Sequence, residues 1–353
     1  MAKIVFPNLL EELLKGSNLQ APIRALADQV GEILSDCPPF FPYYTNHGVE
    51  HINSVLKSEV ELVPKEVWQN SKVDSDQRLL CDADAVVIIG ATLLHDIAMH
   101  LWPKGFLDLV GKESRFQPLP WFKESQNDYS ADRSWHELWE DYIREARRFN
   151  ERQLTDIIGE QQARNWKFPV VWSESSQWDE SFRLIVGEFI RRHHTRLAHE
   201  IAIYGFPGLP IGSGMDEFTA LGKKGHPLEN FADLIGITAR SHGIPLRVCS
   251  SYLDSNPLLA GTPRPMGSVA LYAMAILRVA DYLQIDQQRA PAVLLQLRDP
   301  QSPVSVQEWE KHKAVVNIGD AKSHRGKMVT ISSNLSLPLY LQIKDLLPVC
   351  RQK

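Results

Sequence analysis

Hydrophobic residues recur along most of this chain at intervals of three and four, the spacing that places them on one face of an α-helix. Such stretches lie near residues 8–15, 21–35, 47–63, 80–99, 133–149, 179–199, 228–241 and 267–286, so the pattern predicts a mainly α protein. Alternation with period two is confined to 314–318 and 328–332, either side of the turn-forming "GDAKSHRGK". That arrangement predicts a small hairpin on a helical body, and hence a mixed α+β element at the C-terminal end. Ser305, followed by Val-Gln-Glu, reads as the N-cap that opens a short helix just before the hairpin.

Two stretches interrupt the helical pattern. From Trp102 to Trp178 lie seven of the nine tryptophans, a density that suits a lid over a cleft, a contact surface or an extra packing layer. From Tyr204 to Gly267 the chain is rich in Gly and Pro, as in "YGFPGLPIGSG" and "LAGTPRPMG". This composition predicts a loop-rich insertion and makes it a candidate substrate-access element.

With 353 residues and 44% hydrophobic content the chain can bury a substantial core. Its formal charge of −5 argues against bulk binding of duplex nucleic acid, which needs a basic excess. The four cysteines form no C-x-x-C pair, which fits a reducing cytoplasm and gives no sign of a zinc knuckle or disulfide framework. The longest apolar run, 85–94, is about half of the ~20 residues that span a bilayer. The expectation is a cytoplasmic protein with no membrane segment.

That same run ends, unexpectedly, on His95 and Asp96. The helix "AVVIIGATLL" is apolar on nearly all sides and is therefore buried. An ionised carboxylate at its inner end requires a cation or a dense set of hydrogen bonds. Other histidines and one aspartate share this situation. His47 and His51 are four apart and occupy one helix face with Val55. Phe189 and Ile190 lead by fours to His193 and His194, and Ala273 and Leu277 lead by fours to Asp281. His136 sits among Trp135, Leu138 and Trp139, and is open to a ligand reading or to that of a packed, hydrogen-bonded core histidine. Imidazole and carboxylate without thiolate suit divalent ions such as Mn, Fe, Co, Ni or Zn. Such an ion activates water and polarises a phosphoryl oxygen, a combination that supports hydrolysis.

The ordered set His51, His95–Asp96 and Asp281 resembles the H…HD…D signature of the HD-domain superfamily of metal-dependent phosphohydrolases. "HINSV" is similar to that superfamily's first ligand helix, "LLHDIAM" to its second, and "ILRVADYLQID" to the helix that delivers the last aspartate. The additional His47, His136, His193 and His194 resemble the extra histidines of two-metal members. No Glu or G-Y-P follows "RRHHTR", so the resemblance does not extend to cyclic-di-GMP specificity. "YYTNHGVEHINSVL", the "RAP" after the last aspartate and "WEKHKAVV" look most like the bacterial HD-CE type, over roughly residues 40–320.

The resemblance implies an HD-domain helical bundle over 41–290, with insertions at about 102–178 and 204–267. A helical extension, 1–40, would precede it and a small mixed element, 291–353, would pack on it. It implies one or two divalent metal ions (Mn, Fe, Co, Ni, Zn or Mg) on His51, His95, Asp96 and Asp281, with His136, His193 and His194 completing the shell. Asp96 would bridge two ions, and His47 or His194 would protonate the leaving oxygen. Arg133, Arg191, Arg192 and Arg289 are the candidate phosphate-binding cations, with Lys104 and Lys313 behind them. Asp286 and Arg289, three apart, are also placed to pair as a clasp. The implied activity is hydrolysis of a phosphoester of a nucleotide or cyclic nucleotide. The alternative is a non-catalytic metal- and nucleotide-binding sensor that partners an ATPase or defence-type protein, or self-associates.

Overall fold

The computed structural model describes residues 3–45, 47–70, 79–119, 132–169, 171–209, 220–262, 264–285, 287–320, 327–332, 335–337, 339–341, 343 and 344. The chain begins with α1 (Asn8–Leu14), α2 (Gln20–Leu34), α3 (Val49–Leu62), α4 (Lys65–Asn70) and α5 (Asp82–Leu94). A 3-10 turn (Ile97–His100) leads to α6 (Pro103–Val110), α7 (Trp135–Ala146), α8 (Glu151–Ile158), α9 (Glu160–Ala163) and the long α10 (Glu180–Tyr204). There follow α11 (Ala232–Arg240), α12 (Leu246–Ser255), α13 (Ala270–Tyr282), α14 (Ala292–Arg298), α15 (Pro303–Ala314), β1 (Val315–Asp320) and β2 (Lys327–Ile331). The fold is mainly α, with one two-stranded antiparallel hairpin in which Ile318 stands opposite Val329.

Helix α5 is the axis of the bundle because its sequence leaves no polar face. Val86, Val87, Ile89, Leu93 and Leu94 are completely buried, each stabilising the fold by roughly 1.5–3 kcal/mol relative to exposure. The stretch Asp82–His100 is long and apolar enough by composition to cross a membrane, and here all of it but Asp82 is buried inside the protein. Its N-terminus is tied down by Asp84. One carboxylate oxygen accepts the Cys81 N–H at 2.8 Å, and the other accepts the Val269 N–H at 2.7 Å and the Ser268 hydroxyl at 3.0 Å. This buried carboxylate takes the N–H of the N-cap residue of α5 and ties it to the start of α13.

Helices α3, α10, α11 and α13 surround α5. Close approach is secured by two glycines. A Cβ at Gly90 would meet Ile235 Cδ1 at 2.8 Å, and one at Gly236 would meet the His199 carbonyl at 2.9 Å. Phe6, Leu10, Leu14, Ile23 and Val30 of the N-terminal segment join the same core. The tryptophan-rich stretch contributes a packing layer: Trp135, Trp139 and Trp178 are buried against Phe106, Phe182 and Phe189 through mostly edge-on ring contacts. Between 204 and 267 the chain is less irregular than its glycines and prolines suggest, since α11 and α12 form within it.

The C-terminal element packs on the bundle through Trp309, which is 1% exposed and donates its indole N–H to the Tyr43 carbonyl at 2.7 Å. Helix α15 starts earlier than the sequence suggests. Ser302 is the N-cap and Pro303 the first helical residue, where its missing N–H and fixed φ cost nothing. Ser305 is thus a buried residue of the first turn. Asp286, the expected partner of Arg289, lies outside the described residues.

Candidate metal centre

Four polar side chains converge where α5 gives way to its 3-10 turn. His51 comes from the first turn of α3, His95 and Asp96 from the end of α5, and Asp281 from the last turn of α13. Their donor atoms all lie within 4.8 Å of one another. His51 Nε2 is 3.2 Å from His95 Nε2, 3.6 Å from Asp96 Oδ2 and 3.5 Å from Asp281 Oδ1. His95 Nε2 is 3.2 Å from Asp96 Oδ2 and 3.7 Å from Asp281 Oδ1. Donors about 2.1 Å from a common ion, at tetrahedral or octahedral angles, stand about 3.0–3.4 Å apart; this quartet needs only small adjustments to reach that.

The other oxygen of Asp96 faces a second cluster. Asp96 Oδ1 is 3.7 Å from both His194 Nε2 and His242 Nε2, and those nitrogens are 2.9 Å apart. Asp96 is the residue shared by both groups. Three of the rings are oriented from behind by carbonyls: His95 Nδ1 on Thr92 O at 2.8 Å, His194 Nδ1 on Arg191 O at 2.7 Å, and His242 Nδ1 on Ala239 O at 2.6 Å. A proton on each Nδ1 leaves the Nε2 lone pair aimed inward, the outer-shell arrangement that metal-ligating histidines use.

The electrostatics favour positive charge at this point. Burial opposes ionisation of Asp96 and Asp281, yet His95 and His51 hold both carboxyls well below the usual range. Burial equally opposes a charged His95, but the two carboxylates raise its pKa well above the ordinary value. Burial and the Arg289 guanidinium bring His51 down to about 4, and burial and His194 bring His242 down to about 4. Two anionic carboxylates beside His51 and His242, which burial keeps neutral, and beside His95, whose stabilised positive charge an ion would replace on releasing its proton, form the donor set of a borderline divalent cation. The residues present fit such an ion.

His242 is absent from the sequence-based candidates. It lies on the short 3-10 turn Ser241–Gly243 that follows α11, inside the stretch read as loop-rich. Its signal was available, because Leu234 and Thr238 lead by fours to His242, the relation that singled out Asp281. Arg278, on α13, clamps this turn by donating to the carbonyls of Ser241 and Ile244 on either side of His242.

The other candidates are placed as follows. His47 stands at the edge, with Nε2 4.0 Å from Asp96 Oδ2 and Nδ1 2.7 Å from the Thr45 carbonyl; burial and Arg289 hold it well below its usual pKa. His136 is in neither cluster, and its Nδ1 is bonded to the Val110 carbonyl at 3.0 Å. His193 is also in neither, and its ring packs on Trp135 and Phe189. Arg191 and Arg192 pair with Glu188, and Arg192 also with Glu145. Arg133 pairs with Asp141. Lys104 is exposed on α6, and Lys313 is exposed at the end of α15.

Arg289 lies instead on the wall of a cavity of about 840 Å³ that opens at His47 and His51. Tyr44, Thr45 and His100 line it from the bundle, and Leu294, Arg298 and Trp309 from the C-terminal element.

The HD-CE family model matches residues 41–332 of the chain. Comparison with curated proteins and with solved structures finds no match.

Proposed function

The chain belongs to the HD-CE family, and on that premise we propose that it is a metal-dependent phosphohydrolase acting on a phosphoester of a nucleotide or cyclic nucleotide. The observation that carries this reading is the two-sided Asp96. Its Oδ2 belongs to a quartet with His51, His95 and Asp281, and its Oδ1 to a group with His194 and His242. One divalent ion would be held by His51, His95, Asp96 and Asp281, and a second by Asp96, His194 and His242. Such ions would supply an acidified water and neutralisation of the charge that develops on the phosphoryl oxygens.

The chain's own residues supply the rest. The carbonyl-anchored imidazoles keep their Nε2 atoms fixed, so little reorganisation accompanies binding. Arg289, on the cavity wall beside His47 and His51, binds a phosphoryl oxygen and orients the ester. His47, neutral and bonded through Nδ1 to Thr45, takes up at Nε2 the proton that the attacking water loses and passes it to the departing oxygen as the P–O bond breaks. His194 serves as a ligand in this scheme, since its Nε2 points at Asp96 and His242.

The test is a hydrolysis screen with purified protein loaded with Mn, Fe, Co, Ni, Zn or Mg, over nucleoside monophosphates, cyclic nucleotides and a generic aryl phosphodiester. Turnover that depends on metal and on Asp96 supports the reading. Tight nucleotide binding without turnover of any of them would count instead for a sensor.

A further inference from the structure

The cavity beside the metal centre is larger than a single phosphoester needs, and its far wall belongs to the C-terminal element. At about 840 Å³ it lies in the upper part of the range for sites that enclose whole small molecules. Two guanidiniums line it. Arg289 lies near the ligand histidines, close enough to depress the basicity of both His47 and His51. Arg298, from the last turn of α14, is held by the Tyr44 carbonyl at 2.9 Å and lies 5.7 Å from the Trp309 ring centroid.

The surroundings of Arg298 differ from those of the arginines on the outer helices. Arg191, Arg192 and Arg133 are each neutralised by a carboxylate. Among the described residues no carboxylate pairs with Arg298. A carbonyl and an indole ring orient the guanidinium but leave its charge uncompensated. The acidic groups on the cavity wall, Asp36 and Glu50, are exposed residues of its rim, and the Asp36 carboxylate accepts the Cys37 N–H. A part-buried, fixed and uncompensated guanidinium on the wall of a substrate-sized cavity is a ready anion site.

Resting on the phosphohydrolase reading for the identity of the cavity, we propose that Arg298 forms a second anion subsite. The preferred ligand then carries an oligophosphate chain, with one phosphate at the metal centre and Arg289 and another at Arg298. The C-terminal element is on this account part of the binding site.

The experiment measures binding by calorimetry on the full chain in chelator, so that neither metal loading nor turnover affects the result. The probes are inorganic tripolyphosphate and orthophosphate. The wild type is expected to bind tripolyphosphate at least tenfold more tightly than orthophosphate. Arg298→Gln, which keeps a donor for the Tyr44 carbonyl, is expected to lose most of that preference, and Arg298→Lys to keep most of it. An equal affinity of the wild type for both probes, or an unchanged preference in Arg298→Gln, overturns the proposal. Should Arg298→Gln fail to fold, the wild type and Arg298→Lys still decide, because absence of the preference in both overturns it. Adenosine diphosphate against pyrophosphate identifies the source: tighter binding of the nucleotide supports an oligophosphate attached to a nucleoside, and equal binding supports the bare chain. Preference for tripolyphosphate in a chain that, once loaded with metal, hydrolyses none of the phosphoesters screened above would support the subsite while removing the catalytic reading.

Discussion

Asp96 Oδ1 lies 3.7 Å from His242 Nε2, while the other oxygen of the same carboxylate lies 3.2 Å from His95 Nε2. A single side chain thus ties a residue of the α11–α12 turn to the end of the central helix. If two ions are held, they differ in their dependence on His242. In His242→Ala the metal content is expected to fall from two ions per chain to about one, as read by elemental analysis after dialysis. Retention of two ions would contradict the assignment of the second group.

Arg278 is expected to act on that second ion without touching it. Its guanidinium bonds the carbonyls on both sides of His242, so Arg278→Met frees the turn that presents the imidazole. Affinity for the second ion should fall about tenfold, or about 1.4 kcal/mol, with the first ion unaffected, and Arg278→Lys should recover part of it. A competition titration against a metal indicator reads the two affinities. Equal losses at both ions would point to general destabilisation instead.

Glu59 gives the fold a pH dependence of its own. It is 2% exposed, with its carboxylate accepting the Thr92 hydroxyl at 2.8 and 2.9 Å. Burial raises its pKa from 4.5 to about 8, against the opposing hydrogen bond from Thr92. The folded chain therefore keeps a proton that the unfolded chain has released. Stability contributed by this group falls as pH rises from about 4.5 to about 8, by up to about 1.4 kcal/mol per pH unit. Glu59→Gln should flatten that decline. Urea denaturation at pH 6 and pH 8.5 tests it, and equal losses in variant and wild type would refute it.

Asp84→Ala removes the link between the starts of α5 and α13. It leaves the Cys81 and Val269 N–H groups and the Ser268 hydroxyl without their shared acceptor. A loss of about 2–4 kcal/mol is expected in denaturant unfolding. A loss below about 0.5 kcal/mol would show that water replaces the carboxylate at no cost.

The bundle was readable from the sequence where burial leaves a periodic trace. α3, α7, α10 and α13 each show the three- and four-residue spacing, because a helix that buries one face must repeat it, whereas α5 is marked by an apolar run with no polar face. The same logic picked out His51, Asp281 and the end of α5, residues that the fold brings to one point. His242 escaped because it sits two residues past the end of α11, in a short segment among glycines and prolines. Spacing also cannot tell which of two adjacent histidines turns inward: His193 faces Trp135 and Phe189, while His194 faces Asp96. The same spacing carried a signal against Arg191 and Arg192 as phosphate ligands, because Glu188 lies three and four residues before them on one helix. The walls of the cavity come from segments about 250 residues apart, such as Tyr44 and Arg298, and local pattern carries no record of such a meeting.

The account stands most directly on Asp96, and the decisive measurement is the metal content and phosphoester turnover of Asp96→Ala beside the wild type. The expected result is a metal-loaded wild type that hydrolyses a phosphoester, and a folded variant that has lost the second ion, most of the first and at least 99% of the turnover. A variant that keeps both its metal and its turnover would contradict the account.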